Sequence, residues 1–427
     1  MFKRLIIKEW RQFFDIDISF HPHLTVLTGA NGAGKTTILN LLANHFGWDS
    51  QFVSSYTKDK RTGLLRYSNS INELGDKIRR FFIKKVDSVP KNQIGEIQYD
   101  NDVISNLTLP DTVNPTYPVN ISNRQSISGV YINSHRPTFP YRAIKAIPTQ
   151  VMNRSQIYNK YFGFTKTFVL DTYRNPAETS ATSLIKETIA SLAMFGYGNK
   201  AVSSNEEARQ LFEDYERILQ IVLPPKLGFE KIKVEIPEVI LCTRSGDFPI
   251  DAVSGGISSI IDITWQLFMY ADPKQRFVAV IDEPENHLHP ELQKSLLHNL
   301  IKAFPNVQFI VATHNPFMIS AEKDSNVYVL DYNEENKVYS LMLDYVNRSG
   351  TANAILREVL GIGSSMPFWA EDMLVDIVNR YSTIELTSES LDNLRKELTH
   401  IGLDLYIPET IAKVVEGKKN DQIIQTP

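Results

Sequence analysis

The sequence has only one cysteine, Cys242, among its 427 residues, so it cannot form an internal disulfide bond or a zinc site built from several cysteines. This cysteine usage is typical of a reducing compartment. No run of about 18 uncharged apolar residues occurs, which excludes an ordinary membrane-spanning helix. The apolar start at 5–7 is interrupted by Lys8 and Glu9, unlike a signal peptide. These absences predict a cytoplasmic protein with no membrane partner.

An excess of charge of one sign is also lacking. The chain has 45 basic and 49 acidic residues, a net charge of −4, and 42% of its residues are hydrophobic. This is the composition of a globular protein, and at about 150 residues per domain the length predicts two to three domains. No internal repeat and no sustained heptad pattern occurs, so long coiled-coil arms are not expected.

The segment 29–36, here called the phosphate loop, reads GANGAGKT and matches the pattern G-x-x-x-x-G-K-[ST]. It follows a strand pattern at 24–27 and precedes a helical pattern at 37–46, the order that a phosphate-binding loop requires. Backbone N–H groups of such a loop cradle phosphates, its lysine neutralises them, and its threonine ligates Mg²⁺. The predicted nucleotide-binding residues are Asn31, Gly32, Ala33, Gly34, Lys35, Thr36 and Thr37.

An apolar strand pattern over 277–281 ends in two carboxylates, Asp282 and Glu283. A continuous apolar run is typical of a central parallel strand that is covered on both faces. We expect Asp282 to join Thr36 as a ligand of Mg²⁺. We expect Glu283 to polarise the water that attacks the terminal phosphate.

Two shorter motifs complete the pattern. Ser254, Gly255 and Gly256, here called the signature loop, precede a helical segment, and a hydroxyl with free N–H groups at a helix start favours an anion. His314 follows a strand pattern at 307–310 and is predicted to contact the terminal phosphate and to help hold the water.

The ordered set GANGAGKT, VSGG, VAVIDEPENHLHP and ATHNP resembles the ABC-type ATPases of the OLD, SMC and RecF kind, over about 1–50 and 230–345. The resemblance implies an α/β P-loop head, with a parallel-sheet core and an N-terminal antiparallel β lobe, that binds ATP and Mg²⁺. It also implies head-to-head dimers in which the signature loop contacts the partner's nucleotide. By the same resemblance Arg11 approaches the nucleotide, and His287 and His289 lie in a dimer-contact loop. The family's glutamine loop has no clear match, and 131–136 is the nearest region.

The chain is therefore expected to have three parts. Residues 1–50 and 230–345 form a discontinuous ATPase head, 51–229 form an insertion that is β-rich and then helical, and 346–427 form a helical C-terminal region. OLD-type nucleases carry an acidic metal-binding module after the ATPase, but no Asp-x-Asp follows Asp344 here. No nuclease activity of the chain's own is expected.

A stand-alone ATPase of this size resembles the AAA-family ATPase components of two-gene anti-phage systems, first AriA of PARIS and next PtuA of Septu. The resemblance implies an ATP-hydrolysing sensor or scaffold subunit that forms homo-oligomers of at least two subunits. It implies two further partners, a phage-encoded trigger protein and a separately encoded nuclease or toxin effector.

The alternative is a RecF-like DNA-repair ATPase that clamps duplex DNA. The segment from Lys58 to Lys91 has ten basic and four acidic residues, a local charge of +6. Such a surface would bind nucleic acid, or a phage protein that mimics DNA, in a salt-dependent manner. An ordinary solvated helix face explains the same charge. A transporter ATPase subunit is disfavoured by the split β lobe and the Asn-His-Leu-His-Pro segment.

Overall fold

The structure, a computed structural model, describes residues 1–58, 65–68, 92–110, 114–170, 180–271, 275–344, 355, 368–385, 387–408 and 410–415. The chain divides into two units, Met1–Ile355 and Leu356–Pro427. The C-terminal region expected from 346 thus begins slightly before the second unit, and the three-part division of the sequence stays a prediction.

The strands of the first unit are β1 Phe2–Trp10, β2 Phe13–Ser19, β3 Leu24–Gly29, β4 Phe52–Val53, β5 Ser55–Lys58, β6 Leu65–Ser68, β7 Gln93–Tyr99, β8 Ile104–Thr108, β9 Thr116–Tyr117, β10 Asn120–Ile121, β11 Gly129–Ile132, β12 Phe229–Glu235, β13 Glu238–Thr243, β14 Phe248–Pro249, β15 Phe277–Asp282, β16 Val307–Ala312, β17 Asn326–Tyr332 and β18 Val338–Met342. Its helices are α1 Lys35–Ala43, α2 Arg154–Leu170, α3 Ala181–Tyr197, α4 Glu206–Val222, α5 Gly255–Tyr270, α6 Pro290–Ala303 and α7 Pro316–Ile319.

Within the described residues, eleven strands form one mixed sheet in the order β10-β8-β7-β1-β2-β18-β17-β3-β16-β15-β11. The five strands β11, β15, β16, β3 and β17 run parallel to one another, whereas β17 pairs antiparallel with β18 on its other side. Every residue of β3, β15, β16 and β11 is buried, because helices cover both faces of a parallel sheet. The carboxyl ends of these strands therefore meet at one edge, where the predicted site residues lie.

The other side of the sheet is largely antiparallel. Strand β1 pairs antiparallel with β2 and β7, and strand β8 pairs antiparallel with β7 and β10. Buried and accessible residues alternate along much of β2, as in a strand of a sheet that is covered on one face. Strands β7, β8, β10 and β11 come from the segment expected to be an insertion, so part of 51–229 belongs to the sheet of the head. The predicted α/β head with a parallel core and an antiparallel lobe is confirmed.

The second unit contains helices α8 Phe368–Ser382 and α9 Ser388–His400. Thr387 caps α9, and its side chain accepts a hydrogen bond from the Ser390 backbone N–H. The two helices share a small apolar core of Ala370, Leu374, Ile377, Leu394, Leu398 and Leu403.

Candidate nucleotide-binding site

The phosphate loop turns sharply between β3 and α1. Gly29, Gly32 and Gly34 have φ values of 131°, 84° and 94°, which glycine adopts without strain. A β-carbon at Gly29 would lie 2.2 Å from the Leu330 carbonyl oxygen, and one at Gly34 would lie 2.4 Å from the Phe13 ring. Only glycine fits at these two positions, so the loop can adopt this conformation only with glycine at 29 and 34.

Lys35 begins α1 and folds back across the loop. Its Nζ donates to the carbonyl oxygens of Gly29 at 2.9 Å and Ala30 at 3.1 Å. The side chain is buried, which lowers the pKa of Lys35, while the carboxylates of Glu283 and Asp282 oppose that shift. A buried ammonium group surrounded by acceptor oxygens is suited to exchange these carbonyls for phosphate oxygens.

Thr36 joins the loop to the end of β15. Its Oγ1 donates to Asp282 Oδ2 at 2.9 Å. Burial, and next the neighbouring Glu283, raise the pKa of Asp282 to about 6, against the opposing effects of the Thr36 hydrogen bond and the Lys35 charge. A hydroxyl and a carboxylate are the hard oxygen donors that Mg²⁺ prefers. A cation here would offset the cost of burying the charged carboxylate, so the donor set fits Mg²⁺.

Glu283 follows β15 with an unusual φ of 44°. Its backbone N–H donates to the Ala312 carbonyl at 2.9 Å, which holds this turn to the end of β16. One carboxylate oxygen lies 3.2 Å from His314 Nδ1, and the other accepts from Asn286 Nδ2 at 3.1 Å. The Glu283 side chain is 30% exposed. The structure thus places a fixed, accessible carboxylate beside the phosphate loop.

The sequence reasoning missed Glu285. This carboxylate is 4% exposed, accepts a hydrogen bond from the Thr313 hydroxyl, and lies 4.0 Å from His314 Nδ1. Its other oxygen has no hydrogen-bond partner, and burial raises the pKa of Glu285. His314 therefore stands between two carboxylates. The only signal in the sequence is the second Glu in Asp-Glu-Pro-Glu.

Arg136 was also missed as a site residue. It follows β11, which lies beside β15, and its guanidinium is almost fully buried. Nη2 donates to the carbonyl oxygens of Glu283 at 3.1 Å and Pro284 at 3.2 Å, and Nε donates to Ser259 Oγ at 2.8 Å. Arg136 thus ties the turn that carries Glu283 to helix α5. It lies in the region 131–136 that was nearest to a glutamine loop.

The signature loop lies at the start of α5, where Ser254 is the N-cap residue and accepts from the Ile257 N–H at 3.4 Å. Ser254 and Gly255 are exposed. A β-carbon at Gly256 would lie 3.0 Å from the His287 carbonyl oxygen. Among the described residues, no hydrogen bond links the signature loop to the phosphate loop of the same chain. The structure instead places Gly255 and Gly256 beside His287, which is exposed, as is His289.

A buried ion cluster lies at the segment that leads into the signature loop. Lys186 of α3 is 0% exposed, and its Nζ lies 2.8 Å from Asp251 Oδ2 and 2.5 Å from Glu238 Oε2. It also donates to the Arg142 carbonyl at 2.7 Å. Asp251 precedes Ser254 by three residues, so this cluster anchors the chain that leads into the signature loop.

Arg11 lies in the turn between β1 and β2, with a φ of 54°. Its guanidinium carbon lies 6.0 Å from the centre of the Trp10 ring and 5.8 Å from that of Phe52. The next residue, Gln12, has its amide nitrogen 2.6 Å from where a β-carbon of Gly34 would lie. The turn that carries Arg11 therefore borders the phosphate loop, and the role of Arg11 stays a prediction.

The predicted basic surface from Lys58 to Lys91 lies outside the residues whose side chains the structure describes. Its contact with nucleic acid or a DNA mimic stays a prediction. In the described part of the chain, no helix combines the length and apolar character needed to span a membrane.

Residues 117–320 match a family model described as an AAA domain, putative AbiEii toxin, Type IV TA system. Septu protein PtuA of Bacillus thuringiensis is 24% identical over 218 residues, which are 45% of this chain and 54% of that protein. The Retron Vc95 probable ATPase of Vibrio cholerae serotype O1 biovar El Tor is 25% identical over 107 residues, covering 25% of this chain and 20% of that protein. The OLD nuclease of Thermus scotoductus is 24% identical over 374 residues, covering 79% and 65%.

By these matches the chain resembles the ABC- and OLD-like ATPases. This confirms the resemblance seen in the motifs. The predicted resemblance to PtuA of Septu is confirmed by relatives of that name, and the predicted resemblance to AriA stays a prediction. The chain spans only about half of the length of the Septu relative. The SMC head domain from Thermotoga maritima gives a TM-score of 0.40 at 13% identity, covering 80% of this chain and 99% of that one.

Proposed function

We propose that this chain binds and hydrolyses Mg-ATP, dimerises around the nucleotide, and controls a separately encoded toxic nuclease in anti-phage defence. The observation that carries the ATPase proposal is the meeting of Lys35, Thr36, Asp282, Glu283 and His314 at the carboxyl ends of β3, β15 and β16. Relatives that bear the names of Septu and retron proteins support the defence role.

In the proposed reaction, water attacks the γ-phosphorus and the bond to the β-phosphate bridging oxygen breaks. Lys35 and the loop N–H groups bind the phosphate oxygens. Thr36 and Asp282 would hold Mg²⁺, whose positive charge would offset the negative charge of the phosphates. Glu283 accepts the proton of the attacking water. His314 orients Glu283 through Nδ1, which leaves Nε2 for a γ-phosphate oxygen.

The phosphate loop is tested by Lys35→Ala. This change is expected to weaken Mg-ATP binding by roughly 10- to 100-fold, because a hydrogen-bonded charge contributes about 1.5–3 kcal/mol. Calorimetric titration with Mg-ATP measures the affinity. The matched control is Lys294→Ala on an exposed position of α6. Unchanged affinity and ATP turnover in Lys35→Ala would show that the assigned site is wrong.

A shared site is tested by mixing two inactive variants. If each site uses Lys35 of one subunit and Ser254 of the other, Lys35→Ala and Ser254→Arg subunits complement each other. A 1:1 mixture is expected to regain about a quarter of the wild-type phosphate release, since half of the dimers are mixed and each has one intact site of two. No gain on mixing would contradict the nucleotide-bridged dimer.

The separate effector is tested by co-purification with the products of adjacent genes, identified by mass spectrometry. A stable complex with a nuclease supports defence. The purified chain alone is expected to leave DNA and RNA intact, although one relative is named an OLD nuclease. Tight duplex DNA binding that weakens steeply with salt would instead favour the repair alternative.

A further inference from the structure

The two sides of the phosphate loop differ in chemistry. Strands β16 and β15 lie on one side of β3 and carry Asp282, Glu283 and His314 at or just beyond their ends. On the other side lies β17, which ends at Tyr332. A nucleotide whose terminal phosphate faces Glu283 extends its ribose and base away from the carboxylates, toward the end of β17.

Tyr332 stands beside the phosphate loop. Strand β17 runs parallel to β3 with Leu330 opposite Gly29, so Tyr332 lies two residues further along, next to the start of the loop. A β-carbon at Gly32 would lie 3.5 Å from the Tyr332 hydroxyl. The residue is 38% exposed, one of the large apolar side chains that the fold leaves accessible to solvent.

The turn between β1 and β2, which contains Gln12, lies next to Tyr332 and also borders the phosphate loop. In the β17–β18 ladder Tyr332 is opposite Val338, and the Val338 N–H donates to the Gln12 carbonyl at 2.7 Å. The Gln12 amide in turn reaches Gly34 at the start of α1. An aromatic ring and an amide thus lie next to the phosphate loop, at Gly32 and Gly34 respectively.

We propose that Tyr332 forms one wall of the subsite for the purine base of the nucleoside triphosphate, with its ring against the base. The inference rests on the proposed ATP binding and adds the place where the base is recognised. Stacking of an aromatic side chain on the base raises the affinity for a nucleotide, and it does not depend on the hydrogen-bonding groups of the base.

The test compares Mg-ATP with inorganic tripolyphosphate, which has the phosphates without the base. Tyr332→Ala is expected to weaken Mg-ATP binding on the order of 10-fold and to leave tripolyphosphate binding unchanged, because stacking involves the base alone. Tyr332→Phe keeps the ring and is expected to bind Mg-ATP like the wild type. Tyr197→Ala removes another exposed tyrosine, on α3, and is the matched control.

Equal losses for Mg-ATP and tripolyphosphate in Tyr332→Ala would overturn the inference, because the tyrosine would then act on the phosphate loop. An equal loss of ATP affinity in Tyr332→Phe would also overturn it, because the hydroxyl would be the group that matters. If the wild type binds neither compound, the proposed function fails together with the inference. Binding of both compounds by the wild type retains the function while the variants decide on Tyr332.

Discussion

Replacing Glu283 with glutamine is expected to lower ATP turnover at least 100-fold while the protein still binds Mg-ATP. Glutamine has nearly the same shape and can still accept the Asn286 hydrogen bond, but it cannot take a proton from water. General base catalysis contributes typically 10²- to 10⁴-fold to a rate. Phosphate release measures turnover, and calorimetric titration measures binding.

The same variant is expected to accumulate as an ATP-bound dimer, since the nucleotide that bridges two subunits is no longer hydrolysed. Light scattering after size-exclusion chromatography with Mg-ATP reports the mass. Glu207→Gln, at an exposed position of α4, is the control and is expected to turn over ATP like the wild type. Wild-type turnover in Glu283→Gln would remove Glu283 from the reaction.

Replacing Lys186 with methionine is expected to lower the free energy of unfolding by about 3–5 kcal/mol, because it leaves buried carboxylates without a counter-charge. Asp251 is fully buried beside Lys186, and one of its oxygens already has no hydrogen-bond partner. Urea denaturation followed by circular dichroism measures the change. The control Lys226→Met removes an exposed ion pair with Glu291 and is expected to cost less than about 1 kcal/mol.

A second variant separates the charge cluster from simple packing. Adding Asp251→Asn to Lys186→Met removes a stranded charge, so the double variant is expected to be more stable than the sum of the two single losses predicts. Strict additivity of the two losses would contradict a coupled ion cluster. Because Asp251 leads into the signature loop, the double variant is also expected to form fewer ATP-dependent dimers than the wild type at equal ATP occupancy.

The chemistry of the site was largely predictable because its motifs are local. Gly29, Gly34, Lys35 and Thr36 form one short loop, and the apolar run before Asp282 already indicates a central strand. Thr36 and Asp282, both predicted to be ligands of Mg²⁺, are joined by a 2.9 Å hydrogen bond, and their binding of Mg²⁺ stays a prediction. Arg136 and Glu285 could not be predicted in this way, since nothing near them in the sequence shows which buried groups they will meet.

The boundary of the head was less predictable. Strand β11 is only four residues long and lies in a segment of mixed composition, yet it pairs in parallel with β15 across more than 140 residues of chain. Short strands owe their place to hydrogen bonds with distant partners and to burial, not to a local pattern. The same pairing places Arg136 against the turn that carries Glu283.

The sequence by itself determined the phosphate loop, the two carboxylates at the end of β15 and the resemblance to ABC- and OLD-like ATPases, because each depends on neighbouring residues and on backbone conformations that only glycine adopts freely. The tertiary structure alone decided which distant groups share the site. Sheet order sets the carboxylates on one side of β3 and Tyr332 on the other. The fold also brings Lys186 to Asp251 and Arg136 to the turn that carries Glu283. A charged group that folding removes from water is stable only where it has an ion-pair or hydrogen-bond partner.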